Sequence, residues 1–364
     1  MKARADAAVS ALLSLLYCSF PGVADGPAPV RVRAPDSLPR VLVLTTGGTI
    51  ASRPDAPSLS GDELVAAVPE VGRHARVRVE ELFRIGSSAM TPRHWLELAR
   101  RIREGFAADP GLAGVVVTHG TDSMEETAYF LHLTVADPRP VVVTGAMRPA
   151  TALSADGPAN LRDAVRVAVS PGARGQGTLV VLNGEIHSAR SVRKMDNLRL
   201  DAFESPGTGA LGVADPDTVV FYRRPVRKHG EGSAFPGPLP GSLPSVPVVL
   251  DFTGFDGSTI RGWRERGSEG IVVAAFAGGR MSPAAGNEAM AAGAAGIPVV
   301  VSSRVPGGRV PEGTIEGPDG PRPMVEGGLI AAGDLPPWKA RVLLMLSLTR
   351  TRDPMELREI FRTH

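Results

Sequence analysis

The chain has 364 residues, of which 43% are apolar and 21% are charged, and this globular composition is large enough for two domains. Its 40 Lys and Arg residues nearly balance its 38 Asp and Glu residues, which excludes a generally basic protein that binds nucleic acid or acidic membranes. Cys18 is the only cysteine, which excludes an intrachain disulfide and a cysteine-based metal cluster. The seven His residues are scattered without H-x-x-x-H spacing, so we expect no metal site.

The first 24 residues have the pattern of a signal peptide. Lys2 and Arg4 precede an apolar run at residues 11–18, and the small-residue pattern of a cleavage site follows at residues 21–24. This pattern predicts export to the periplasm or the medium. The apolar run is too short to span a bilayer. An unstructured leader on a cytoplasmic protein is the alternative.

Beyond a proline-rich spacer, short apolar runs alternate with helical patterns. Each run is apolar at consecutive positions, which is typical of strands buried on both faces of a parallel sheet. The strands are predicted at Val41–Thr45, Gly114–Thr118, Val141–Thr144 and Leu179–Leu182, and the helices at Trp95–Phe106, Met124–Val135 and Leu161–Val169. The alternation predicts an α/β fold with helices on both faces of a mostly parallel sheet.

Proline and glycine crowd into residues 223–247, which have the composition of a linker. We therefore predict a larger N-terminal catalytic domain at residues 40–222 and a smaller C-terminal α/β domain at residues 248–364. Strands of the second domain are predicted at Val248–Phe252, Ile271–Phe276 and Pro298–Ser302, and its closing helices at Lys339–Leu348 and Pro354–Phe361.

Three loops that follow predicted strands carry polar residues. Ligands of open parallel sheets bind beyond the carboxyl ends of the strands, so these loops are the candidate site. The first loop places Thr49 after two glycines, although a simple turn explains this segment better when it is considered alone. The second contains Gly120, Thr121 and Asp122, and its acidic residues also suit a helix N-terminus. The third, at residues 145–158, is predicted to form one wall of the site and not to supply a reactive group.

Threonine needs a base before it can act as a nucleophile. No His is obviously placed for that role. Lys194, which follows the predicted strand Leu179–Leu182, is a candidate if burial keeps it neutral and a carboxylate orients it. A solvated surface Lys is the alternative.

Together, these segments resemble the bacterial-type L-asparaginase family of asparaginases and glutaminases, closer to its periplasmic type II branch. The likeness runs from about Arg40 to Phe361. It is carried by several motifs in the family's order: T-G-G-T-I-A at Thr46–Ala51, V-V-T-H-G-T-D-S-M-E-E-T at Val116–Thr127, G-A-M-R-P at Gly145–Pro149, S-A-D-G-P at Ser154–Pro158, S-S-R-V-P at Ser302–Pro306 and K-A-R-V-L-L at Lys339–Leu344.

The resemblance implies the reaction and its catalytic residues. Thr49 matches the nucleophile that forms an acyl-enzyme, and Thr121, Lys194 and Asp122 match a second catalytic group. Water then releases aspartate and ammonia, and no cofactor takes part. The family forms homotetramers, which implies a tetramer built as a dimer of dimers with each site at a junction of two subunits.

The resemblance also implies the residues that bind the substrate. Asp122 matches the contact to the α-amino group, and Ser87 matches the residue that holds the α-carboxylate. Ser88 and the backbone of Gly120 belong to the same pocket, and the backbone of Ala146 lines its amide end.

The chain departs from the family at three places. Residues 52–60 form a short stretch without the tyrosine that the family's lid carries. Ser88 stands where the family often has Gln. Arg280 stands in the loop where the family's partner subunit supplies an Asn, and the partner's Glu has no clear counterpart beyond nearby Glu312 and Glu316.

These departures leave alternatives to an L-asparagine amidohydrolase. One is an amidase for another small amide, such as glutamine or a D-amino acid amide. The other is a periplasmic amino-acid binder with weak or no turnover. The four catalytic matches argue against the binder, which has no need of a nucleophile.

Overall fold

A computed structural model describes residues 38–53, 55–317, 320–324 and 327–364. The predicted signal peptide and Cys18 lie outside the described residues. None of the helices that the structure describes is long and apolar enough to cross a membrane.

The strands and helices follow the order that the sequence predicts. The strands are β1 (Arg40–Thr45), β2 (Arg76–Glu81), β3 (Leu112–Thr118), β4 (Val141–Thr144), β5 (Thr178–Leu182), β6 (Glu185–Ser188), β7 (Arg193–Lys194), β8 (Phe203–Glu204), β9 (Gly212–Ala214), β10 (Val219–Phe221), β11 (Val248–Leu250), β12 (Ile271–Ala275), β13 (Val299–Ser303), β14 (Thr314–Gly317), β15 (Gly320–Pro323) and β16 (Leu329–Ala331). The α-helices are α1 (Gly61–Ala66), α2 (Pro92–Ala108), α3 (Met124–Thr134), α4 (Gly157–Ala168), α5 (Ser258–Glu265), α6 (Pro283–Ala294), α7 (Pro337–Leu348) and α8 (Pro354–Thr363).

The large sheet has eight strands in the order β10-β9-β6-β5-β4-β3-β1-β2. The part from β5 to β2 is parallel, as predicted for β1, β3, β4 and β5. The edge strand β2 was not predicted, because polar residues alternate with its valines. Beyond β5 the sheet continues with antiparallel pairs, which the sequence pattern did not predict. Strands β9 and β10 have only three residues each, too few for a clear hydrophobic pattern.

The smaller sheet is parallel throughout, in the order β11-β12-β13-β16. The predicted fold class, a large mostly parallel sheet with a second, smaller C-terminal sheet, is confirmed. Two antiparallel hairpins, β7–β8 and β14–β15, lie outside both sheets.

The middle strands of the large sheet are buried on both faces, which explains their unbroken apolar runs. Val115, Val116 and Val117 are all inaccessible to solvent. On one face, a core cluster combines residues of α2, α3 and α7 with residues of both sheets. A second cluster covers the other face with α1 and α4. Helices α3 and α7 pack against each other, so an element of the C-terminal part reaches the helix that follows β3.

The proline-rich segment at residues 223–247 also packs against the first core. Phe235 and Val246 are buried there. These contacts hold a segment of linker composition against the folded chain.

An ion pair joins the segment after β6 to the segment after β16. Arg190 donates two hydrogen bonds to Asp334, at 2.7 and 2.8 Å, and another to the carbonyl oxygen of His364. Burial raises the pKa of Asp334, but the hydrogen bonds and charge of Arg190 outweigh this effect and lower it to about 2. The carboxylate is therefore more stable in the folded chain than in the unfolded one.

Asp334→Asn should lower the free energy of unfolding by about 1 kcal/mol at pH 7, a modest loss because the carboxylate is partly exposed and screened. The depressed pKa stabilises the fold above the unfolded value of 3.8, and this stabilisation decreases as the pH falls toward the folded value. Urea denaturation should therefore show a smaller difference between the variant and the wild type at pH 3 than at pH 7. An equal difference at both pH values would contradict the role of this ion pair.

Candidate active site

The loops that follow β2, β1, β3 and β4 meet at one edge of the large sheet, because these parallel strands are neighbours. Their backbones touch at glycines. A Cβ on Gly48 would lie 2.4 Å from the Cα of Gly120, and a Cβ on Gly120 would lie 2.6 Å from the Oγ of Ser87. Gly48 also has a φ of +87°, which disfavours other residues. Contacts this close bring the polar residues of three loops within reach of one ligand.

An open cavity of about 280 Å³ lies at this meeting point. Its volume suits a small molecule such as an amino acid. The cavity is lined by Gly47, Gly48, Thr49, Ser52, Ser58, Arg84, Ile85, Gly86, Ser87, Gly120, Thr121 and Asp122.

Thr49 begins a short 3-10 helix at Thr49–Ala51, directly after Gly48. Ile50 and Ala51 are buried and anchor this helix, whereas Thr49 is only partly buried. Within the described part of the chain, the Thr49 hydroxyl has no hydrogen-bond partner. The threonine is thus held by its backbone, and it lines the cavity.

Thr121, Lys194 and Asp122 form a second group beside the cavity. The ammonium of Lys194 donates to the Thr121 hydroxyl at 2.9 Å and lies 3.3 Å from the carboxylate of Asp122. Thr121 is buried, and the side chain of Lys194 is 18% exposed. The alternative of a solvated surface Lys therefore does not describe Lys194.

The acidic residues at this turn do not act as a side-chain cap. Helix α3 begins after Ser123, which makes no capping hydrogen bond through its side chain. The Asp122 carboxylate contacts Lys194 instead. Glu125 and Glu126 do lie in the first turn of α3, where they favour the positive end of the helix dipole.

The predicted substrate-binding residues fall into two groups. Ser87 is buried, and its hydroxyl accepts a hydrogen bond from the backbone N–H of Asp122 at 3.0 Å, so it joins the loop after β2 to the loop after β3. Gly120 lies between Ser87 and Gly48. Ser88 is exposed, and Ala146 is buried in the core beneath the 3-10 helix of Thr49. Neither of these two lines the cavity.

Sequence reasoning missed two kinds of residue at this site. Ser58 and Arg84 line the cavity, but nothing in the sequence pattern distinguishes them from other loop residues. The carboxylate of Glu125 accepts a hydrogen bond from the backbone N–H of Lys194 at 3.3 Å. Its position in a helix N-terminus concealed this contact.

The neighbouring histidine is unsuited to act as the base. His119 is fully buried, and its Nδ1 lies 2.7 Å from the carbonyl oxygen of Gly120. Burial lowers the pKa of His119 to about 4, so it is neutral at pH 7. Within the described residues, no group of three or more His, Cys, Asp or Glu side chains is placed to hold a metal ion.

Family models match nearly all of the described chain. The model "Asparaginase, N-terminal" matches residues 40–227, and the model "Glutaminase/Asparaginase C-terminal domain" matches residues 245–361.

The chain belongs to the asparaginase family. Curated relatives in this family match along most of their length. The probable periplasmic L-asparaginase of Haemophilus influenzae is 38% identical, with 96% of this chain and 99% of that protein covered. L-asparaginase 2 of Escherichia coli is 37% identical, with 90% and 94% covered. The glutaminase-asparaginase of Pseudomonas fluorescens is 36% identical, with 99% of both covered.

A solved asparaginase structure has the same fold. The crystal structure titled probable cytoplasmic L-asparaginase from Campylobacter jejuni has a TM-score of 0.83 and 41% identity, and it covers 90% of this chain and 100% of that chain. The family assignment from the sequence motifs is therefore confirmed, and so is the class of enzyme, an asparaginase-type hydrolase.

Gly48→Ala should disrupt the site, because the added methyl group meets the backbone of Gly120 and cannot move away. We expect a loss of stability of about 1 to 3 kcal/mol, from the positive φ and the contact together, and a large loss of amide hydrolysis. Gly184→Ala is the matched control, since Gly184 also has a positive φ but nothing within 4 Å of the added Cβ. The melting temperature measures the loss of stability, and ammonia release measures the loss of activity. Equal losses of activity in both variants would show that the contact between position 48 and the Gly120 backbone has no special role.

Proposed function

We propose that this protein hydrolyses L-asparagine to L-aspartate and ammonia through a threonine nucleophile. The observation that carries the proposal is the Lys194–Thr121–Asp122 group beside a small cavity that also contains Thr49. The relatives named as L-asparaginases support the choice of substrate.

The first half of the reaction forms an ester. The Thr49 oxygen attacks the side-chain amide carbon of the substrate, and the Thr49 proton leaves through the Thr121–Lys194 pair. The Thr121 hydroxyl relays this proton to Lys194, whose nitrogen lies 2.9 Å away, and the Asp122 carboxylate at 3.3 Å stabilises positive charge on that nitrogen. The C–N bond then breaks, and the leaving nitrogen takes the proton and departs as ammonia.

The second half of the reaction hydrolyses the ester. Water attacks the acyl carbon and loses a proton to the same pair. The Thr49 oxygen leaves and regains a proton. The products are aspartate and free enzyme, so atoms and charges balance without a cofactor.

Binding of the amino-acid end falls to the loops after β2 and β3. The Asp122 side chain is 64% exposed, which leaves it open to an α-ammonium group. Ser87 and the N–H groups of the turn at Gly120 suit an α-carboxylate, because helix N-terminal turns favour anions. The resemblance also assigns the amide end of the pocket to the backbone of Ala146, which is buried in the core next to Ile50 and outside the cavity lining.

A different small amide is the second candidate. Ser88 is short and exposed, and Arg84 lines the cavity while it pairs with Glu81 at 2.8 Å. Because Ser88 does not line the cavity, the observation that favours another small amide is the Arg84 cation at the cavity wall. Ammonia release from L-asparagine, L-glutamine and their D-forms separates the candidates by their kcat/KM values.

Thr49→Ala and Thr121→Ala should each reduce ammonia release from L-asparagine by about 100-fold or more, since each removes a hydroxyl that the reaction uses. Thr127→Ala is the matched control. Its buried hydroxyl accepts a hydrogen bond from Trp95 at 2.9 Å and takes no part in the reaction, so turnover should stay near that of the wild type.

Wild-type turnover in both threonine variants would contradict these roles. Calorimetric binding of L-aspartate by a wild-type protein that releases no ammonia would instead favour the amino-acid binder.

We also propose that residues 1–24 are removed during export and that the mature enzyme is a homotetramer, with residues 223–247 joining its two domains. The Haemophilus relative is named as periplasmic, whereas the Campylobacter structure is titled cytoplasmic. Mass spectrometry of the purified protein should find an N-terminus near residue 25, and light scattering should give four times the chain mass. A full-length chain in the cytoplasmic fraction would contradict export, and a smaller particle would contradict the tetramer.

A further inference from the structure

A buried lysine of the C-terminal part lies directly behind the candidate site. Lys339, on α7, is inaccessible to solvent. Its ammonium donates hydrogen bonds to the carbonyl oxygens of Ala189 at 2.8 Å and Arg190 at 3.1 Å, and to that of Val192. These three carbonyls belong to the segment that ends in Lys194, so one ammonium holds the approach to the catalytic lysine.

The three carbonyls converge because the chain turns sharply here. The N–H groups of Ser191 and Val192 both donate to the carbonyl oxygen of Ser188 at 3.0 Å. This turn leaves the next carbonyls without strand partners. Buried carbonyl groups need donors, and the three N–H bonds of one ammonium supply them.

Glu125 connects this lysine to the catalytic residues. One carboxylate oxygen of Glu125 accepts from the backbone N–H of Lys194 at 3.3 Å. The other lies 3.9 Å from the Lys339 ammonium and, among the described residues, has no hydrogen-bond partner. Glu125 lies four residues after Thr121, so a single side chain spans from the Thr121 turn to Lys194.

We propose that Lys339 and Glu125 are positioning residues, which hold the Lys194 backbone so that its ammonium reaches Thr121. The inference rests on the proposed function, in which Lys194 serves the reaction.

The opposite charges of Lys339 and Glu125 support this arrangement. Burial lowers the pKa of Lys339 to about 7, and the nearby charge of Glu125 acts against that shift. A buried carboxylate and a buried ammonium stabilise each other only at close range. If either charge is removed, the other is left buried without compensation, and the segment between them loses its anchor.

The Lys194 side chain is long and flexible, so its backbone has to be positioned accurately for its ammonium to reach Thr121. Lys194 has four rotatable side-chain bonds, and its contact with Thr121 depends on where its backbone starts. Small displacements of catalytic groups reduce turnover strongly. Substrate contacts at Ser87 and Asp122 do not involve Lys339, so a defect in positioning reduces kcat more than it raises KM.

The first test is Glu125→Gln, which keeps the shape of the side chain. The amide oxygen can still accept from the Lys194 N–H, but the amide has no negative charge to face the Lys339 ammonium at 3.9 Å. An N–H group of the amide then stands near the ammonium in place of the carboxylate oxygen. We expect kcat for L-asparagine to fall about 10- to 100-fold, with KM changed by less than about threefold.

Lys339→Met, alone and combined with Glu125→Gln, tests whether the two residues act as a unit. The double variant should lose no more kcat than Lys339→Met alone, because residues of one network are not additive. Independent, multiplying losses would contradict a shared role. If Lys339→Met does not fold, Glu125→Gln still decides the proposal.

Asp163→Asn is the matched control. Asp163 is a buried carboxylate on α4 that pairs with Arg162 at 2.9 Å and Arg166 at 3.2 Å, and it has no contact with Lys194. The change should lower the melting temperature but leave kcat unaltered. To remove any effect of inactive protein, kcat is expressed per L-aspartate-binding site counted by calorimetry. The same relative loss of kcat in Asp163→Asn and Glu125→Gln would overturn the proposal.

Crystal structures separate this inference from the proposed function. In Glu125→Gln, the distance from Lys194 Nζ to Thr121 Oγ1 should exceed hydrogen-bond range, even if the wild-type protein does not hydrolyse asparagine. An unchanged distance overturns the positioning role. A wild-type protein that releases no ammonia contradicts the proposed function alone.

Discussion

The hydrogen bond between Lys194 and Thr121 joins two segments that lie 73 residues apart in the chain. Thr121 lies in the short loop that follows the central strand β3, three residues after that strand ends. Lys194 belongs to a two-residue strand outside the sheet. The rest of the structure determines whether this contact can form. The large sheet positions the Thr121 hydroxyl, and the buried contacts of Glu125 and Lys339 position the segment that carries the Lys194 amine.

The two threonines of the site are supported in different ways. Thr121 has a partner at hydrogen-bond distance and a carboxylate close to that partner. Thr49 is held only through its backbone, by two buried neighbours and by the contact of Gly48 with Gly120. Among the described residues, the hydrogen-bonded contacts of the site therefore lie on the Thr121 side.

The C-terminal part of the chain contributes to the site from behind. Helix α7 packs on α3, and its Lys339 reaches the backbone that leads to Lys194. The ion pair of Arg190 with Asp334 lies in the same region. The contacts that stabilise this part of the fold and those that hold the Lys194 segment therefore overlap.

The sequence by itself determined most of the parallel strands, most of the helices, the candidate loops and the family. A strand buried on both faces requires an unbroken apolar run, whereas the edge strand β2 has polar residues between its valines and gives no such signal. The loops after the buried strands carry several motifs in the family's order, and this combination selects Thr49, Thr121 and Asp122 as candidates.

Only the tertiary structure decided how those residues meet. The antiparallel edge of the large sheet, the partnership of Lys194 with Thr121, and the contacts of Glu125 and Lys339 depend on the path of the chain through space. A carboxylate at a helix N-terminus has the same local pattern whether it interacts only with the helix dipole or also binds the backbone of Lys194, as Glu125 does. Which of these contacts the carboxylate makes depends on long-range packing, which no local sequence pattern encodes.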